Sequence, residues 1–330
     1  MMLLSRTPMR VSLFGGGTDY PEYFLSHPGA VLGLAINKYI YIAALQMSGI
    51  QPYNYRLAYS QLEHVMKVDE IQHKAVKAAF SHYRIESPLD VSVMADMPAS
   101  SGLGSSSTFS VGLLNLLAHL CAEKVTKLDL ALRAVHLERE LLSENVGVQD
   151  QFHASFGGIN RFDFDASGYR ITPMMMSGQC LDYLTNSLVL VHTGVVRHAS
   201  KIVSNQLEKT KTGQIDRQLE RMLEYVDEGV RVLGSSHSEG MLKQLGKLLH
   251  ESWMLKRSLS PDVSTPDIDA LYELAMKSGA LGGKLCGAGG GGFLLMLVPP
   301  NLRSSFSRAV DPARVINIGL DTQGSTIIHS

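Results

Sequence analysis

Pro98 to Thr108 (PASSGLGSSST) sets two glycines in a run of serines. Gly102 and Gly104 let the backbone take conformations that a Cβ forbids and approach a ligand closely. The apolar helix predicted next offers unpaired N–H groups and roughly half a positive charge at its start. Together these features make a cradle for phosphate, with Ser101, Gly102, Leu103, Gly104, Ser105, Ser106 and Ser107 as the contacts. The hydroxyls add short donors and one oxygen ligand for Mg²⁺. No Lys follows the glycines as in a Walker A loop, and the third glycine of a dinucleotide fingerprint is missing. Taken alone, the stretch also reads as a flexible turn with a serine N-cap.

Three further stretches carry chemistry. Gly147 to Gln151 (GVQDQ) puts Asp150 in a glycine-flanked turn, where its carboxylate can face a ligand or simply cap the turn. Upstream, Leu128, Ala131, Leu132, Val135 and Leu142 form a helical apolar stripe, and Glu138 falls on it. A buried carboxylate must be paired, protonated or bound to metal; Arg133 and Arg139 are the nearby cations for an ordinary ion pair. Lys284 to Phe293 (KLCGAGGGGF) feeds a strand through Gly289 to Gly292, a run whose entropic cost points to another backbone or a ligand passing close, with Gly289 and Gly290 expected to contact substrate. Thr7 to Tyr20 (TPMRVSLFGGGTDY) leads a strand bearing Arg10 into Gly16, Gly17, Thr18 and Asp19, the last two able to hydrogen-bond hydroxyls.

The elements that must position these groups are legible. Strands are predicted over 10–14, 30–45, 89–95, 186–192, 293–298 and 314–319, the 89–95 segment from its clean alternation. Helices are predicted over 109–120, 215–233, 241–255 and 267–278. The segment 53–68 reads as a loop. Ser167 to Gln179, rich in Gly, Ser and Met, is the candidate domain boundary. Strands and helices mix without a βαβ period, which favours α+β over a doubly wound sheet.

Bulk composition narrows the field. The chain has 330 residues, enough for two domains of roughly 150 each. Thirty basic side chains against thirty-one acidic ones leave −1, so no global field points to nucleic acid or an anionic membrane as a partner. Cys121, Cys180 and Cys286 stand far apart, which suits a reducing compartment better than a disulfide framework or zinc site. The longest apolar runs fall short of a membrane span and the opening residues do not make a signal peptide. A cytoplasmic protein is expected, and nothing in the sequence fixes the number of subunits.

In this order, the stretches resemble the motifs of the GHMP kinase superfamily, named for galactokinase, homoserine kinase, mevalonate kinase and phosphomevalonate kinase. PMRVSLFGGGTDY is similar to its N-terminal motif, PASSGLGSSS to its phosphate loop and KLCGAGGGGF to its C-terminal glycine motif, so the resemblance spans almost the whole chain. It implies a two-domain α+β fold. An ATP-binding domain like ribosomal protein S5 domain 2 would occupy 1–177, and a ferredoxin-like domain 178–330. FGGGTDY, GLGSSST with Thr108, GVQDQFHASFGGIN, TGVVRHA and ESWMLKRS most resemble the D-glycero-D-manno-heptose 7-phosphate kinases, which phosphorylate an anomeric hydroxyl.

Carried over residue by residue, the resemblance implies ATP with Mg²⁺, Asp150 as catalytic aspartate and Arg10 as the cation paired with it or with the transferring phosphate. It makes Ser106 and Glu138 the Mg²⁺ ligands, with Glu140 and Glu144 as alternatives to Glu138. Asp19 would bind sugar hydroxyls. A phosphorylated acceptor would need further cations, for which Arg197, Lys256, Arg257 and Lys284 are candidates beside the simpler reading of solvated surface charge. Rival readings are another sugar 1-kinase, fucose-like or galactose-like, a mevalonate-type kinase, or a silent ATP- and sugar-binding sensor. An RNA-binding relative of the S5 fold is disfavoured by the neutral charge balance.

Overall fold

Two long strands built from alternating and continuous apolar text organise the first half of the chain. The computed structural model describes residues 1–195 and 200–329, so the candidate cation Arg197 lies outside the described residues. Strand β1 (Met2–Phe14) pairs antiparallel with β2 (Gly29–Gln46) along nearly its whole length, with irregularities at Pro8/Met9 and Ser12/Phe14. The short pair β3 (Tyr55–Ala58) and β4 (Leu62–Val65) follows, then β5 (Leu89–Ala95), β6 (Ile159–Asp165) and β7 (Gly168–Pro173). Half of β2 pairs with β5 and the other half with β6, so one strand carries two branches of the sheet. Among the described residues only β3 and β5 run parallel.

A second, four-stranded antiparallel sheet contains β8 (Leu188–His192), β9 (Gly282–Leu285), β10 (Phe293–Leu297) and β11 (Val315–Asn317), in the order β11-β8-β10-β9. Val189, Val191, Leu294 and Met296 on its one face pack with Trp253, Ile268, Leu271 and Phe306 from the covering helices. The chain then returns to the first sheet: β12 (Thr326–His329) pairs antiparallel with residues 3–6 of β1. The helix Asp216–Leu233 also lies on the first sheet, Gly229 meeting Phe14 and Leu32 and Tyr225 stacking on Phe14. One continuous core therefore joins the two sheets. The architecture is mixed α+β, the class that the pattern predicts, and is built on two sheets.

Three local differences have physical causes. The buried helix begins at Ser105 rather than Phe109, because Gly104 turns into the left-handed region (φ +77°) and releases Ser105, Ser106 and Ser107 into the first turn. The segment 53–68 is no loop: Tyr55 and Leu57 are buried against the β5 edge, and β4 completes a hairpin. The stretch 167–179 contains β7, whose pairing with β6 keeps the chain on the first sheet as far as Pro173.

Candidate active site

On β1 the alternation of a strand separates two faces: Met9, Val11 and Leu13 are fully buried in the core, whereas Arg10 and Ser12 point to the opposite side. The irregularity at Pro8/Met9, just before Arg10, bends the strand there. Arg10 grips Asp150 with two nitrogens, Nε to Oδ1 at 2.8 Å and Nη2 to Oδ2 at 2.7 Å. Its third nitrogen, Nη1, donates to the Gly102 carbonyl at 2.6 Å. Burial alone would lower the Arg10 pKa, but the carboxylate of Asp150 outweighs it and the net shift is upward. Asp150 stands in the first turn of the helix Gln149–Phe156, where the dipole favours a negative charge.

The phosphate loop is clamped from both sides. The backbone N–H of Arg10 donates to the Leu103 carbonyl at 3.0 Å, tying the loop to β1. From the other domain the glycine-rich stretch before β10 arrives at backbone contact: a Cβ on Gly102 would lie 2.6 Å from the Cys286 carbonyl oxygen, and one on Gly292 2.4 Å from that of Ser101. Gly102, Gly104, Ser105, Ser106 and Ser107 line a cavity of about 310 Å³. Ser101 and Leu103 are buried beneath them as supports.

Beneath the loop lies Glu138, fully buried. It is presented by a π-helical turn, Leu137–Leu141, whose extra residue reorients the helical face; such turns recur at functional sites. Its oxygens accept from Ser107 Oγ at 2.8 Å, Ser110 Oγ at 2.7 Å and Gln151 Nε2. Burial pushes its carboxyl up to about 7, against the lowering effect of those three donors. Of the loop serines it is Ser107 that touches Glu138, while Ser106 is exposed at the cavity wall. Glu140 and Glu144 are exposed, and Arg133 and Arg139 pair elsewhere, with Glu123 and Glu22. A buried carboxylate with hydroxyl oxygens beside it is a hard-oxygen donor set, which fits Mg²⁺ completed by phosphate oxygens and water. Among the described residues no cluster of three acidic, His or Cys ligands forms a site of its own.

Asp19 is nearly fully buried and accepts from the Gly17 N–H at 2.9 Å and Gln149 Nε2 at 2.9 Å. Burial raises its pKa, with the N–H donors opposing. Gly16, Gly17 and Asp19 line the cavity together with Ser12, Gln149, Lys256 and Lys284. Thr18 turns inward instead, its hydroxyl donating to the Gly15 and Ala30 carbonyls and fixing the turn. Gly289 and Gly290 are not brought to the cavity. They pack on Val263, the Gly290 N–H donating to its carbonyl at 3.0 Å, and Gly287 and Ala288 take the cavity wall. Ser12 and the side-chain oxygen of Gln149 were missed by sequence reasoning. Both are buried polar atoms without a protein partner; strand alternation from Arg10 and adjacency to Asp150 were the available signals.

A second cavity of about 730 Å³ adjoins the first across Ser100, Ser105 and Ser106 and is lined by Tyr59, His73, Met97 and Phe109. Its aromatic walls, with the His73 ring 4.8 Å from Tyr59 and 4.9 Å from Phe109, suit a flat heterocycle beside the phosphate loop.

Residues 70–158 match the family described as GHMP kinases N terminal domain, and residues 236–316 the one described as GHMP kinases C terminal. A D-glycero-alpha-D-manno-heptose 7-phosphate kinase of Campylobacter jejuni is 28% identical, over 93% of this chain and 92% of that protein. A galactokinase of Thermococcus kodakarensis is 27% identical over 92% of this chain and 91% of its own. Among solved structures, a D-glycero-D-manno-heptose 1-phosphate kinase from Bacteriodes thetaiotaomicron superposes with a TM-score of 0.80 at 22% identity, covering 99% of this chain and 100% of that one.

Proposed function

Because the chain belongs to the GHMP kinases, we propose that it is a sugar kinase moving the γ-phosphoryl group of ATP onto the anomeric hydroxyl of D-glycero-D-manno-heptose 7-phosphate. The observation that carries the reading is the two-point Arg10–Asp150 pair set against the phosphate loop at the wall of the cavity. Phosphoryl transfer is loose in its transition state, so positioning and charge neutralisation supply most of the rate. Asp150 orients the acceptor hydroxyl and takes its proton; an anomeric hydroxyl is the most acidic on a sugar and suits a carboxylate base. Arg10 holds Asp150 in place and stabilises charge on the transferring group.

The N–H groups of the first helical turn and Ser105 to Ser107 bind the nucleotide's phosphates, with its base in the aromatic cavity next door. Glu138, with the serines around it, would hold Mg²⁺, which supplies charge neutralisation at the phosphate oxygens. Asp19, Ser12 and Gln149 meet the sugar's hydroxyls. The heptose name of a relative across nearly the full chain supports this acceptor; the galactokinase relative makes a neutral sugar the competing one. We place the enzyme in the cytoplasm, where ATP and free thiols coexist; among the described residues no helix is long and apolar enough to cross a membrane.

The test is ATP consumption with Mg²⁺ against heptose 7-phosphate, mannose 6-phosphate, galactose, fucose and mevalonate. Turnover is expected to be fastest on the heptose phosphate, slower on mannose 6-phosphate and slowest on the neutral sugars. Turnover on a neutral sugar alone would keep the kinase and replace the acceptor, and ATP binding with silence on every acceptor would favour a sensor.

A further inference from the structure

Two lysines face the cavity with no acidic partner. Lys284, on β9, is buried and its Nζ donates to the Leu13 carbonyl at 3.0 Å. Lys256, half-buried near the end of the helix Ser238–Leu259, donates to the Gly287 carbonyl. Among the described residues neither ammonium has an ion pair, unlike neighbouring Arg257, which is bound to Asp269 away from the cavity. The cavity's own carboxylates are committed elsewhere, Asp150 to Arg10 and Asp19 to Gly17 and Gln149.

Burial holds Lys256 down to about 8 and Lys284 down to about 7, with repulsion from Lys256 adding to the fall at Lys284. A buried cation such as Lys284 without a counter-charge is costly, and a half-buried one that repels it, Lys256, adds to the cost. An evolved fold keeps such a pair where a ligand supplies the missing anion. Leu259, Met222, Val203 and Gln206, from the helices of the second half, wall the same cavity as the two lysines, whereas the second cavity contains neither lysine.

We propose that Lys256 and Lys284 form a second anion subsite, binding the phosphate that the acceptor sugar already carries, and that they select phosphorylated over neutral sugars. This rests on the sugar-kinase reading and deepens it. Two ammonium groups at one phosphate give charge-assisted hydrogen bonds, and the loss of either lowers selectivity by about 10–100-fold.

The experiment compares full-length wild type with Lys256→Met and Lys284→Met, measuring kcat/KM on mannose 6-phosphate, on heptose 7-phosphate and on their unphosphorylated counterparts, and KM for ATP. The expected result is a fall in kcat/KM on the phosphorylated sugars that exceeds the fall on neutral ones by at least tenfold, with KM for ATP within about twofold. Lys256→Arg, which keeps the charge, should recover most of the selectivity. Equal losses on both kinds of acceptor, or a loss that appears mainly in KM for ATP, would overturn the subsite and assign the lysines to the transferring phosphate. Should a variant fail to fold, displacement of mannose 6-phosphate from wild type by inorganic phosphate, followed calorimetrically without nucleotide, decides: no competition overturns the proposal. Wild-type turnover that ignores the acceptor's phosphate sinks the subsite and leaves the kinase standing, whereas absence of any turnover sinks the kinase reading itself.

Discussion

Arg10 and Asp150, 140 residues apart in the chain, meet in a two-point fork whose remaining nitrogen anchors the Gly102 carbonyl of the phosphate loop. One guanidinium thereby fixes the carboxylate and the loop relative to each other, so the base and the phosphate cradle we propose would share a single reference point.

Asp150→Asn keeps the side chain's shape, removes its charge and leaves one acceptor for the two arms of the fork. Turnover should fall by roughly 10²–10⁴-fold, the range a positioned base supplies. ATP affinity, measured by calorimetry, should stay within about threefold. Unchanged turnover would remove Asp150 from the mechanism.

Glu138→Gln addresses the metal. With the carboxylate gone, the Mg²⁺ concentration for half-maximal rate should rise by about tenfold or more, read from initial rates across a Mg²⁺ titration at saturating ATP. An unaltered Mg²⁺ dependence would mean that the metal is held elsewhere.

Gly102→Ala tests the clamp on the phosphate loop. Its Cβ would sit 2.6 Å from the Cys286 carbonyl oxygen on a backbone already at φ +77°. Destabilisation of about 1–3 kcal/mol is expected by urea unfolding, together with weaker ATP binding. Gly178→Ala is the control, since nothing lies within 4 Å of a Cβ there. Equal behaviour of the two variants would show that the backbone contact constrains nothing.

Lys284 gives a pH signature. Its folded pKa, about 7, lies below the 10.5 of the free side chain. Between those values the unfolded chain holds a proton that the folded chain has released, so this group makes stability rise with pH across that window. Below about 7 both states are charged and the full cost of burial is present. Lys284→Met should therefore stabilise the protein most near pH 6, and its advantage should shrink by pH 9 in parallel urea titrations. An advantage independent of pH would refute the buried, unpaired ammonium.

Much of the site was readable because short motifs with glycine carry their own geometry. Asp150, Asp19 and the serine loop each lie where a strand or loop meets a helix or turn, and Arg10 reaches them from within β1. The π-helical turn was not readable: Glu138 sits on a regular apolar stripe, and only the structure shows Ser107, Ser110 and Gln151 closing around it. The fate of Gly289 and Gly290 was likewise hidden, since a glycine run announces a close approach without saying to what, and here it is Val263. The 53–68 hairpin escaped because its strands are four residues each and their pairing partner, β5, is distant in sequence. Likewise β12 carries little pattern in four residues and is fixed by tertiary pairing alone.

That last strand has a consequence for biosynthesis. Residues 326–329 lie beside residues 3–6, and Ser325 holds both Thr7 and Asn115 through its hydroxyl, at 2.8 Å and 2.9 Å. The edge of β1 thus stays open on the ribosome until the chain has been made as far as residue 329. Until then the first sheet presents an unpaired strand, the kind of edge that invites pairing with other nascent chains.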